Sequence, residues 1–85
     1  MTLKIEKYWD GYRTSLRLIG RMQAEHLEDL EKEVRESGSA ITLDLEELTM
    51  VDVEAVRFLG RCEVEGVTLL SCSPYIRDWI AKERD

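Results

Sequence analysis

The chain has 85 residues, which suits one domain, and its 44% hydrophobic and 35% charged content is that of an ordinary globular protein rather than a disordered one. The formal net charge of −6 argues against nucleic acid as a partner, because phosphate binding needs clustered lysines and arginines; a basic surface on a partner protein suits it better. The N-terminal segment has no apolar signal-peptide core and no apolar run approaches the length of a membrane span, so we expect a cytoplasmic chain without membrane insertion.

The first residues predict a β-hairpin. Apolar residues mark a strand over 3–8, Asp10 and Gly11 are a strong turn signal, and a second strand is expected over 12–19, with Gly20 ending it. Because a domain of this size buries only somewhat more than roughly 60% of its unfolded surface, self-association through an exposed strand edge or helix face, as a homodimer, would supplement its modest stability.

A helix is predicted over residues 23–36, ended by a glycine C-cap at Gly38 within a Ser-Gly-Ser segment. This helix carries two basic residues, Lys32 and Arg35, and six acidic ones: Glu25, Glu28, Asp29, Glu31, Glu33 and Glu36. Such a run is typical of a solvated face, and a docking surface for a basic partner is the alternative. The single histidine, His26, is expected at the surface, since it cannot form a familiar zinc site with two distant cysteines.

A third strand and a second helix follow. Ile41, Leu43 and Leu45 alternate with polar residues, the pattern of a half-buried strand. After a loop of five to seven residues, Asp52 stands where an N-cap belongs, and Glu54 would lie favourably near the positive end of the helix dipole. The helix is expected to be more buried than the first, because more of its circumference is apolar.

The last third predicts a turn at Gly66, a strand over 67–71, and a helix with Ser73 as N-cap and Pro74 in its first turn. Cys62 and Cys72 do not form a CxxC pair and are expected to be reduced core thiols. Strands that alternate with helices favour parallel pairing through right-handed crossovers. The sequence therefore predicts one α/β domain over residues 1–85, with a small mixed sheet and the order β-β-α-β-α-β-α.

Five short segments, in this order, resemble the STAS family, the domain shared by sulfate transporters and anti-sigma-factor antagonists. They are Leu16-Arg-Leu-Ile-Gly-Arg-Met22, Leu43-Asp-Leu45, Leu48 to Asp52, Gly66 to Leu70, and Ser73-Pro74. The resemblance implies a STAS-like fold and a stand-alone antagonist-like protein that acts in transcription regulation. It also implies binding to an anti-sigma factor, commonly a serine kinase, through the loop and helix around Asp52.

The usual phosphorylation site of the family is absent. In the bacterial antagonists the pattern after the loop is Asp, Ser or Thr, Ser, Gly, whereas the matching residues here are Asp52, Val53, Glu54 and Ala55. The phosphoacceptor position falls on Val53, which carries no hydroxyl. Either Glu54 imitates the phosphorylated state with its fixed charge, or it is simply a favourable first-turn acid. Thr49 is the nearest remaining hydroxyl and an alternative acceptor, although a turn hydrogen bond is the commoner role for such a threonine.

We expect the contact surface for a protein partner to be formed by Met50, Val51, Asp52, Val53, Glu54 and Phe58. In this scheme Asp52 orders the helix start, while Met50 and Val53 supply apolar contact. Two alternatives remain open: an accessory subunit that binds the ATPase of an ABC-type transporter, and a small-ligand or nucleotide sensor at the strand ends near Asp52 and Ser71. No acid–base pair, glycine-rich phosphate loop, metal site or cofactor site is visible in the sequence, so we expect no enzymatic activity.

Overall fold

The computed structural model describes residues 3–37 and 40–84, so the predicted C-cap at Gly38 lies outside the described residues. Within them the chain forms β1 (Leu3–Trp9), β2 (Thr14–Met22), a 3₁₀ turn (Ala24–His26), α1 (Leu27–Glu36), β3 (Ile41–Asp44), β4 (Leu48–Val51), α2 (Val53–Val64), β5 (Thr68–Leu70) and α3 (Pro74–Arg84). The predicted mixed α/β fold is confirmed, with one strand, β4, added to the predicted order.

The hairpin forms at the predicted turn. Asp10 folds its side chain over the loop, where Oδ1 accepts the backbone N–H groups of Tyr12 and Arg13, both at 2.9 Å. Gly11 has a φ of 96°, in the left-handed region that glycine enters without steric cost. These bonds set the register, and β1 pairs antiparallel with β2 along its whole length.

The second strand does not end at Gly20, as the sequence suggested, but continues to Met22. Its last part pairs in parallel with β4, which occupies most of the predicted loop. Gly20 lies opposite Leu48 and the following residue lies opposite Met50, so Thr49 is an extra residue between two paired positions. Such a bulge needs a local change of backbone direction, and Gly20, with a φ of 102°, provides it.

The sheet order among the described residues is β1-β2-β3-β5, and β4 pairs with β2 off this path. β3 lies beside the first half of β2 and β4 beside its last residues, both parallel to it. Together they act as one interrupted strand. β5 pairs in parallel with β3 and forms the edge of the sheet opposite β1.

The helices cover one face of this sheet. Alternate strand residues such as Leu16 and Leu43 are fully buried, and they share one core cluster with Leu30 of α1, Val56 of α2 and Ile80 of α3. Two crossovers of the same hand, from β2 to β3 and from β4 to β5, place their helices on the same side. The helices and the sheet therefore enclose a single core in the described part of the chain.

The opposite face of the sheet is polar. Arg17 of β2 places Nε 3.5 Å from Asp44 Oδ2 and Nη1 3.2 Å from Glu47 Oε2, while Arg13 Nη1 donates to the Thr42 hydroxyl at 3.0 Å. The Arg17–Asp44 contact crosses from β2 to β3, and the other two join these strands to the residues next to them. Charged side chains therefore take the place of the second helical layer that usually covers parallel strands.

The end of α2 follows the predicted turn at Gly66. The Val67 N–H donates to Cys62 O at 2.9 Å and the Gly66 N–H donates to Glu63 O at 3.2 Å, which is the bond pattern of a Schellman motif. Gly66 has a φ of 99°, as this motif requires, and the chain leaves the helix toward β5.

The last helix is capped and held as well. Ser73 Oγ accepts the Ile76 N–H at 3.3 Å, which confirms the predicted N-cap. Arg77 Nη1 donates to both carboxylate oxygens of Glu63 at 2.7 and 2.8 Å, and Arg84 Nη2 donates to the same group at 2.8 Å. These hydrogen bonds lower the pKa of Glu63 below its ordinary value, Arg77 making the larger contribution, and fasten α3 to α2.

Candidate partner-binding site at the start of the second α-helix

Asp52 joins two elements at the start of α2. Its backbone is extended, with φ −106° and ψ 179°, and its Oδ1 accepts the Ala55 N–H at 2.9 Å, which confirms the predicted N-cap. Its Oδ2 accepts the Ala24 N–H at 2.9 Å, at the first residue of the 3₁₀ turn before α1. Both carboxylate oxygens are thus engaged by main-chain donors, and the start of α2 is tied to a segment 28 residues earlier.

The first turn of α2 carries no hydroxyl. Val53 is partly exposed rather than sealed in the interior, and Ala55 is buried. Glu54 is half exposed, with its Oε2 3.3 Å from Arg57 Nη1, while Arg57 Nε bonds Glu83 of α3 at 2.9 Å. The negative charge of Glu54 is therefore partly neutralised by an ion pair with an arginine one turn further along the helix.

The residues just before Asp52 present an apolar group and an engaged hydroxyl. Met50 is 51% exposed although it lies in a strand. The Thr49 hydroxyl donates to Gly20 O at 2.9 Å, across to β2. This bond reaches the neighbouring strand, whereas the sequence suggested a local turn, because β4 was not foreseen.

Two of the expected contact residues belong to the core. Val51 is 6% exposed and Phe58 is 3% exposed, so their side chains are not available to a partner on this surface. Phe58 lies on the core-facing side of α2, and the guanidinium carbon of Arg61 lies 5.9 Å from its ring centroid. The expected surface is thereby reduced to Met50, Asp52, Val53 and Glu54, whose partner contacts stay a prediction.

His26 has a structural role that the sequence analysis missed. Its Nδ1 accepts the Gln23 N–H at 3.1 Å, at the start of the 3₁₀ turn, and the side chain is partly buried. A side chain three residues after an N-cap that reaches back to the cap's N–H is the second half of a capping box. The spacing of Gln23 and His26 was the available signal.

The groups considered for chemistry are dispersed. Cys62 is buried, Cys72 is partly buried, and both are free thiols; burial raises the pKa of Cys62 to about 11, which disfavours its thiolate. Ser71 is exposed after β5, with a φ of 57°. In the described ranges, 3–37 and 40–84, the structure has no group of three His, Cys, Asp or Glu residues able to hold a metal ion.

No protein-family model matches the sequence, and no curated protein matches it at a significant level. Among solved structures, the chain is similar to an antisigma-factor antagonist, a STAS domain from Rhodobacter sphaeroides, with a TM-score of 0.65 and 15% identity. The match covers 82% of this chain and 87% of that one. The chain has the STAS fold.

The STAS resemblance stated from the sequence is therefore confirmed for the fold. At 15% identity this is a likeness of fold. No helix in the described part of the chain is both long and apolar enough to cross a membrane.

Proposed function

We propose that this STAS-fold chain is a non-catalytic, cytoplasmic protein-interaction module of the anti-sigma-factor-antagonist type, whose partner binds at the start of α2. The proposal is carried by one observation: Met50 and Val53 expose apolar surface on either side of Asp52, whose carboxylate is fixed by two main-chain bonds. A rigid anchor between two apolar groups suits recognition, because little conformational entropy is lost on binding.

The partner we propose is an anti-sigma factor with a basic contact surface, commonly a serine kinase in this family. The chain carries 18 acidic residues against 12 lysines and arginines, which favours encounter with a positively charged protein. Holding that factor would free a sigma factor, and so the module would act in transcription regulation.

The interaction is proposed to lack the usual switch. A phosphate at a helix N-terminus is well placed against free N–H groups and the helix dipole, and its charge would displace a partner. Val53 offers no acceptor, and the Thr49 hydroxyl is bonded to Gly20 O. We therefore propose that a kinase partner binds without phosphorylating this site.

The experiment uses the full chain as bait in an extract of its native cell, with captured proteins identified by mass spectrometry. We expect an anti-sigma kinase with the wild type, and at least about a tenfold weaker interaction with Met50→Asp, because a buried charge would replace an apolar contact. Val64→Asp is the matched control, since Val64 is also exposed but lies at the opposite end of α2. Both variants are checked for folding by circular dichroism.

Two results would overturn the proposal. Equal capture by Met50→Asp and the wild type would remove the partner from this surface. Capture of a transporter ATPase in place of a kinase would favour the accessory-subunit alternative.

A further inference from the structure

The two edges of the sheet differ in length. β5, at one edge, has three residues, whereas β1, at the other, has seven and pairs with β2 on one side only within the described residues. A long unpaired edge strand presents a row of N–H and C=O groups that can pair with another chain. Among the described residues, the outer edge of β1 is therefore the longest unpaired edge that the sheet offers.

The hydrogen bonds of β2 show which groups of β1 point outward. Thr14 and Gly20 donate their N–H groups to residues on the far side of β2, at 2.9 and 3.1 Å, so neither is bonded to β1. In an antiparallel pair, residue pairs that are not hydrogen-bonded to each other alternate with bonded pairs, and in a non-bonded pair the main-chain groups of both residues point away from the partner strand. Thr14 lies opposite Trp9 and Gly20 lies opposite Leu3. By alternation, the outward groups of β1 belong to Leu3, Ile5, Lys7 and Trp9.

We propose that the outer edge of β1 pairs antiparallel with β1 of a second copy, with Ile5 opposite the partner's Ile5, so that two sheets join into one. This register matches outward-pointing main-chain groups on both strands. It also places Lys4 opposite the partner's Glu6, twice by symmetry. Opposite charges directly across a strand pair stabilise it, whereas like charges oppose it.

The neighbouring registers are disfavoured by the same charges. A shift of two residues in one direction puts Glu6 opposite the partner's Glu6, and a shift in the other puts Lys4 opposite the partner's Lys4. Edge lysines usually deter pairing. Here the spacing of Lys4 and Lys7 from Glu6 leaves one register, which pairs residues 3–7 of both strands, without a like-charge clash. Lys4 and Glu6 already form an ion pair within the strand, at 3.4 Å, with the Lys4 side chain 70% exposed, so the partners can exchange between chains.

The proposed dimer leaves the start of α2 free. β4, which leads into α2, pairs with β2 on the side away from β1. A test of the dimer can therefore give a result that is independent of the test of the proposed partner-binding site.

The experiment is sedimentation equilibrium of the purified chain over a wide concentration range. We expect a monomer–dimer equilibrium for the wild type, and a dissociation constant about tenfold higher for Lys4→Glu and for Glu6→Lys, because each places like charges opposite one another at two symmetric positions. The double variant Lys4→Glu/Glu6→Lys restores opposite charges and is expected to dimerise like the wild type. Lys32→Glu, on α1, is the control for net charge and should not weaken the dimer.

A wild type that stays monomeric at every concentration would overturn the proposal. A dimer that tolerates both single reversals, or a double variant that remains as weak as the single ones, would place the interface elsewhere. Circular dichroism and melting temperature of each variant show whether the monomer is intact, so a loss of dimer is separated from a loss of fold.

Discussion

At the scale of single residues, Asp52 carries more of the site's architecture than its position in the sequence suggested. An N-cap satisfies one donor at a helix start, but the second oxygen of Asp52 also takes the N–H of Ala24. The signal that predicted the cap was local, a short acid before an apolar helix. The second bond depends on how β2 and β4 align, which no local pattern reveals.

We expect Asp52→Ala to lower the free energy of unfolding by about 2 kcal/mol, because it removes a helix cap and leaves a second N–H without its acceptor. Asp52→Asn keeps one acceptor oxygen and should fall between the wild type and the alanine variant. Glu54→Gln is the control at the adjacent exposed site and should change stability by less than about 0.5 kcal/mol. Urea denaturation measures all three; a value for Asp52→Ala within the range of the control would refute the bridging role.

At the scale of elements, one glycine lies inside α2 and another follows its end, and they differ in whether the backbone conformation needs glycine. Gly60 is buried within the helix, and a Cβ there would lie 3.5 Å from Ile80 Cγ2 and 3.8 Å from Arg84 Nε, at ordinary contact distances. Gly66 follows the helix with a φ of 99° and open space around it. There is therefore room for a side chain at both positions. Only at Gly66 does the backbone conformation disfavour one.

We expect Gly60→Ala to stabilise the protein by about 0.5–1 kcal/mol, since alanine is the better helix former, and Gly66→Ala to destabilise it by about 1 kcal/mol or more, since alanine is strained at positive φ. Thermal unfolding followed by circular dichroism compares the two directly. A destabilised Gly60→Ala would mean that α3 cannot accommodate the added methyl group, and an unchanged Gly66→Ala would mean that the helix end relaxes.

The elements that the sequence predicted correctly are those with strong local signals. Asp10 and Gly11 marked the hairpin turn, Gly66 marked the end of α2, and Ser73 marked the start of α3. β4 was missed because its four residues show no strand alternation: the outer two are buried and the inner two exposed. A bulge opposite Gly20 produces that pattern, and it arises only when β2 supplies the partner.

At the scale of the whole molecule, three helices in the described residues cover one face of the sheet and a charged network covers the other. Alternation of strands and helices predicted the parallel part of this arrangement through crossover handedness. The burial of Val51 and Phe58 was missed for two reasons. Val51 belongs to β4, which the sequence did not predict, and Phe58 lies on α2 next to the exposed charged stripe of Glu54, Arg57 and Arg61, at the boundary between the buried and exposed sides of the helix.

The partner surface proposed at the start of α2 is one that phosphorylation does not switch. The most direct test mixes the purified chain with the captured anti-sigma kinase, with and without ATP, and measures the affinity and the intact mass of the chain. We expect the same affinity in both conditions and no added phosphate. A phosphate on Thr49 or elsewhere near Asp52, accompanied by release of the kinase, would contradict the claim.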